Sequence, residues 1–129
     1  MKKKFVWIIL SVLLIMLVTV PVVAKTEVKK AAEKGKVEVI FSFDQHLDAQ
    51  AVYVAGEFND WNPNHKEWKM TKKDGVWKLS KKLAQDKEYQ YKFTVPNGEK
   101  VKWIKDKEAE KFKDDSYGGK NSVVITKVK

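Results

Sequence analysis

The sequence predicts an all-β sandwich of two sheets, and three observations carry that prediction. Apolar residues alternate with polar ones in short runs. Turn signals separate those runs at regular spacing. No stretch beyond residue 24 sustains a helical period. About seven short strands within roughly 95 residues suit a two-sheet sandwich of the immunoglobulin type, with an open five-stranded barrel as the alternative.

The strands follow in order. Val37, Val39, Phe41 and Phe43 share one face of the first. Val52-Tyr-Val54 and Trp68 to Met70 supply two short ones. Val76 to Leu83 places Trp77, Leu79 and Leu83 on one side. Glu88 to Val95 sends Tyr89, Tyr91, Phe93 and Val95 inward and Gln90, Lys92 and Thr94 outward. Val101 to Ile104 and Ser122 to Val128 complete the set. Asp74-Gly75, Pro96-Asn97-Gly98 and Gly118-Gly119 mark turns between them.

The amino-terminal end of the chain has a different grammar. Residues 1–24 run as three lysines, an apolar stretch from Phe5 to Val20, and Pro21-Val-Val-Ala24. That is the order of a secretory signal peptide, with Val22 and Ala24 as the small residues before a cut at Lys25. The alternative is an uncleaved anchor, since Phe5 to Ala24 makes about 30 Å of helix, enough to span a bilayer. Either way the domain is expected outside the cytoplasm, periplasmic or extracellular, and touches a membrane only through that segment. Residues 25–36 carry one apolar side chain larger than alanine and are expected to form a charged spacer. The folded unit is expected over 37–129.

Composition narrows the chemistry. The chain of 129 residues carries a formal charge of +9 and contains no cysteine, so disulfides and thiolate catalysis are excluded. Three of those charges, Lys2, Lys3 and Lys4, lie in the first 24 residues, which hold no acid, leaving +6 for the rest. All 26 basic residues are lysines. Without arginine the chain lacks the bidentate group that suits phosphate and guanine, and its lysines interleave with acids, so no nucleic-acid partner is expected.

Catalytic motifs are missing as well. Gly119-Lys120 is followed by Asn121, and Asp114 stands where a phosphate-binding loop needs its first glycine. His46 and His65 lie in polar segments with no ligand spacing around them, so neither a metal nor another cofactor is expected. Glu57 and Asp60 read as solvated loop acids rather than a glycosidase pair. The chain is not expected to be an enzyme.

The tryptophans carry the functional signal. Trp77 shares its face with leucines and belongs in the core, and Trp68 has the parity of Met70. Trp61 sits inside Phe58-Asn-Asp-Trp-Asn-Pro63, a polar turn that is costly to bury. For Trp103, a four-residue turn over Pro96 to Glu99 would put it opposite Lys92, on the outward face. Two exposed indoles beside a lysine suit a sugar polymer, whose C–H patches pack on aromatic faces while its hydroxyls take hydrogen bonds.

The segments Val52-Tyr-Val-Ala-Gly-Glu-Phe-Asn-Asp-Trp-Asn-Pro63, Asp74-Gly-Val-Trp77, Tyr89-Gln-Tyr-Lys-Phe93, Lys102-Trp-Ile-Lys-Asp106 and Gly118-Gly-Lys-Asn-Ser-Val123 together resemble a family-48 carbohydrate-binding module. That group includes the glycogen-binding domain of the AMP-activated protein kinase β subunit and the amino-terminal domains of isoamylases and branching enzymes. The resemblance covers 37–128. It implies an immunoglobulin-like, early-set sandwich that binds α-1,4-glucans such as glycogen, starch and maltodextrin. It implies that Trp61 and Trp103 stack on sugar, that Lys92 and Asn121 hydrogen-bond its hydroxyls, and that Tyr117 takes the place of the family's hydrophobic loop residue. The turn between Lys92 and Trp103 is longer than in the kinase module. The partner implied is an α-glucan polysaccharide or oligosaccharide; for an exported module, the expected use is to hold it near a glucan-processing enzyme or transporter of the cell envelope. The alternative is the same sandwich serving as a protein-docking domain without sugar affinity.

Overall fold

A computed structural model describes residues 24–128, and the expected signal or anchor helix lies outside them. These residues form two antiparallel sheets. The first contains β1 (Glu27–Lys30), β2 (Lys36–Phe43), β4 (Thr71–Lys73) and β5 (Val76–Ala84), in the order β1-β2-β5-β4. The second contains β3 (Tyr53–Gly56), β6 (Glu88–Asn97), β7 (Lys100–Ile104), β8 (Lys111–Asp114) and β9 (Lys120–Ile125). Its order is β3-β6-β9-β8, with β7 also paired to β6. The open barrel is thereby set aside.

The core lies between the sheets and follows the alternation in the sequence. Val37, Val39, Phe41 and Phe43 of β2 face Tyr91, Phe93 and Val95 of β6, all buried. Phe41 sits at the centre, edge-on to Tyr91 at 5.1 Å and to Phe58 at 5.7 Å. Trp77 is buried, and its indole N–H donates to the carbonyl of His46 at 3.2 Å. Each such side chain contributes about 1.5–3 kcal/mol relative to exposure.

Four expectations are corrected. Residues 25–36 are not a spacer throughout, because Glu27–Lys30 pairs with β2 in the register Glu27↔Ile40 to Lys30↔Val37. The alternation test misses such a strand because its stability comes from backbone pairing at a sheet edge, plus the packing of one valine, Val28, on the core. β8, whose four residues are all exposed, is missed for the same reason. With both, the described strands number nine rather than about seven.

Trp68 and Met70 are buried, but not as a strand. Lys66–Trp68 is a 3-10 turn, His65 Nδ1 accepts from the Glu67 amide at 3.2 Å, and β4 begins at Thr71. Phe58 stacks on Trp68 at 4.2 Å and Lys81 covers the indole at 4.9 Å. The 3-10 turn lets Trp68 reach the core from the loop, where a strand would have carried it along the sheet edge.

The β6–β7 hairpin is tighter than the four-residue turn predicts. β6 runs on through Pro96 to Asn97, which pairs with Lys100 across Gly98-Glu99. Gly98 has φ 63°, the left-handed geometry that a two-residue hairpin turn requires. Trp103 therefore stands opposite Thr94, not Lys92. The shift is two residues, an even number, so Trp103 keeps the outward face.

Thr94 is on that outer face, yet fully buried. Its hydroxyl donates to the Pro63 carbonyl at 2.6 Å, so the turn carrying Trp61 lies over it.

Candidate functional site

The outer face of the second sheet is organised along β6, where Gln90, Lys92 and Thr94 alternate outward. β3 lies on one side of this strand, and β9 and then β7 on the other. The end of β3 is bound closely to β6 because residue 56 is glycine: a Cβ there would stand 2.5 Å from the Gln90 carbonyl oxygen.

From Gly56 the chain turns sharply outward. Asn59 clasps the turn, its side chain accepting from the Gly56 amide and donating to the Val54 carbonyl, both at 2.9 Å. The Trp61 amide donates to the Gly56 carbonyl at 2.9 Å. Asp60 and Trp61 are consecutive left-handed residues, with φ 55° and 57°. Neither is glycine, so the conformation is strained and persists because the Asn59 clasp and the Thr94–Pro63 bond hold both ends. The result is a half-buried Trp61 standing beside Trp103, which is 43% exposed. Their ring centroids are 6.5 Å apart and their planes inclined at 49°.

The facing wall comes from β9 and the β8–β9 turn. Asn121 lies one residue before Ser122, the partner of Tyr91, and so sits across from Lys92. Its side-chain amide donates to Gln90 Oε1 at 3.0 Å. Tyr117, at the tip of the turn, is 93% exposed. Trp61, Lys92, Trp103, Tyr117 and Asn121 all line one open concavity of about 740 Å³.

Residues not expected in the site line it too: Gln90, Glu57, Asp114, Asp115 and Ser116. Gln90 was legible as an outward neighbour of Lys92. Glu57, read as a solvated acid, accepts from the Gln90 backbone amide at 2.6 Å. Asp115 carried no sequence signal, because its role depends on a turn closing over another strand.

Lys92 is not a free ammonium. Its Nζ lies 2.7 Å from Asp115 Oδ2, and the two side chains are only 15% and 10% exposed. Hydrogen bonding to Lys92, and then to the Tyr117 and Gly119 amides, holds the Asp115 carboxyl down to about 2. Three carboxylates, Glu57, Asp114 and Asp115, thus line the concavity beside one ammonium, against the positive charge of the whole chain. Two aromatic faces and amide donors and acceptors in an open groove suit a neutral, hydroxyl-rich ligand.

Other groups are otherwise employed. His65 caps its 3-10 turn and His46 stacks on Phe43 at 6.2 Å. Among the described residues no group of three or more His, Asp or Glu is placed to hold a metal ion. A second concavity of about 630 Å³ opens between β1 and β9, lined by Val28, Ala109 and Ile125 and by none of the five residues above.

The family model for carbohydrate-binding module 48 (isoamylase N-terminal domain) matches residues 32–118. No curated protein matches the sequence. Among solved structures the chain is similar to the enterobactin esterase FES from Shigella flexneri, determined in the presence of 2,3-Di-hydroxy-N-benzoyl-serine. The two are 13% identical with a TM-score of 0.58, over 80% of this chain and 33% of the esterase. The chain thus spans about a third of the esterase's length, and at that identity the likeness shows the fold alone.

Proposed function

The chain belongs to the carbohydrate-binding module 48 family, and from that membership we propose that it binds α-1,4-glucan through the Trp61–Trp103 groove without catalysing a reaction. Trp61 and Trp103 stack on successive sugar rings. Asn121 and Gln90 exchange hydrogen bonds with hydroxyls, the Lys92 ammonium donates one more, and Tyr117 closes on the chain from the opposite lip. A signal or anchor at residues 1–24 delivers the module outside the cytoplasm, where it holds maltodextrin for an envelope enzyme or transporter.

The observation that carries this reading is the 49° inclination between the two indoles. An α-1,4-glucan curves from one ring to the next, so inclined platforms meet successive rings face-on. A straight β-1,4 ribbon calls for coplanar ones. An open groove of this kind supports about −4 to −7 kcal/mol, between millimolar and micromolar affinity.

Native gels cast with and without amylopectin test the proposal. Retardation of the protein that Trp61→Ala strongly weakens is the expected result. Equal mobility in both gels, with the protein folded, would overturn the sugar reading in favour of protein docking.

A further inference from the structure

We propose that Asp115 is a positioning residue of this groove, holding Lys92 in place and locking the loop that carries Tyr117. The inference rests on the glucan reading and deepens it.

Asp115 uses both carboxylate oxygens. Oδ2 accepts from Lys92 Nζ at 2.7 Å. Oδ1 accepts from the Tyr117 amide at 2.8 Å and from the Gly119 amide at 2.9 Å. The Asp115 amide in turn donates to the Gly119 carbonyl at 3.1 Å, closing the turn at its base. One side chain thereby joins the middle of β6 to the tip of the β8–β9 loop.

The loop is shaped to receive it. Ser116 and Gly118 are left-handed, with φ 67° and 83°, which bends the chain back over the carboxylate. A Cβ at Gly119 would stand 2.7 Å from Asp115 Oδ2, so residue 119 must be glycine for the carboxylate to lie where it does. Tyr117 makes no other described hydrogen bond and is almost wholly exposed, so its direction depends on this lock.

The pair also sets the class of ligand. An unpaired lysine on this face would attract phosphorylated or acidic glycans. Paired with Asp115, Lys92 keeps N–H groups for sugar hydroxyls but no net charge to offer an anion.

Two variants of the intact protein separate the two roles. Asp115→Asn keeps an oxygen for the Tyr117 and Gly119 amides and removes the negative charge that faces Lys92. Asp115→Ala removes both. The readouts are hydrogen exchange at those two amides, the reactivity of Lys92 toward an amine-acylating reagent mapped by peptide mass spectrometry, and retardation in amylopectin gels.

For Asp115→Asn, slow exchange is retained, Lys92 becomes several-fold more reactive, and glucan affinity falls about threefold. For Asp115→Ala, exchange at both amides accelerates about tenfold or more and affinity falls about tenfold. Slow exchange and unchanged affinity in Asp115→Ala would overturn the inference, as would Lys92 reactivity that neither variant alters. If the unsubstituted protein ignores amylopectin while both amides stay protected, the glucan reading fails and the lock itself stands. If Asp115→Ala binds amylopectin as the protein does, the glucan reading stands and this inference falls.

Discussion

The indoles of Trp61 and Trp103 come from a strained turn and a hairpin strand, yet their centroids lie 6.5 Å apart at an inclination of 49°. If they form the platform for a curved sugar chain, linkage matters more than composition. Amylopectin is expected to retard the protein, whereas a mixed-linkage β-glucan of the same monomer is expected to leave its mobility unchanged. Trp61→Ala and Trp103→Ala are each expected to remove about 1–2 kcal/mol, roughly tenfold in affinity. Equal retardation by both polymers would contradict the proposed role of the inclination.

Tryptophans on the two faces of the fold are expected to behave oppositely. Trp77 is 5% exposed and its N–H is committed to His46. Trp77→Ala is expected to cost about 3–5 kcal/mol of stability through the cavity it leaves. Trp103→Ala is expected to change stability by no more than about 0.5–1 kcal/mol while weakening glucan binding. Thermal unfolding beside affinity gels checks both halves.

Two shifted carboxyls, Asp115 and Asp106, pull the acid range in opposite directions. Asp115 is held down to about 2 by Lys92 and two amides, so its contribution is full above the ordinary carboxylate value and is lost as pH falls toward 2. Asp106 is 3% exposed and burial raises its carboxyl, against hydrogen bonds from Tyr91, the Glu108 amide and Thr26 that lower it. Its contribution therefore declines as pH rises from the ordinary carboxylate value through the raised one. Denaturant unfolding from pH 2.5 to 7 is expected to show Asp115→Asn flattening the rise below about pH 4. Asp106→Asn is expected to flatten the decline above it.

Just before β1, Thr26 makes a polar contact with Asp106, which follows β7 of the second sheet. The Thr26 hydroxyl donates to Asp106 Oδ2 at 3.0 Å, and the Tyr91 hydroxyl donates to the same oxygen at 2.6 Å. Thr26→Ala is expected to cost about 1 kcal/mol. Asp106→Ala, which leaves the Tyr91 hydroxyl buried without its acceptor, is expected to cost about 2–3 kcal/mol. Urea midpoints at constant m-value provide the check.

How far the sequence could be read depended on whether a residue's environment was set within its own strand. Val37 to Phe43 and Tyr89 to Val95 announced their inner faces by alternation, because a buried face must be apolar at every second position. The five residues singled out by pattern and resemblance all line one concavity. Trp103 kept its outward face although its partner was misjudged, since an even slip preserves parity. Glu27–Lys30 and Lys111–Asp114 were invisible, because an edge strand can form from backbone pairing with little apolar signal of its own.

By itself, then, the sequence determined the fold class, the inner face of each long strand and the outward tryptophans, all of which follow from local periodicity and turn chemistry. Tertiary structure decided what surrounds them. The inclination between Trp61 and Trp103, the pairing of Lys92 with Asp115, and the burial of Thr94 beneath Pro63 each join segments far apart in the chain. Such contacts depend on how a turn lies over a sheet, and no spacing within one segment encodes that.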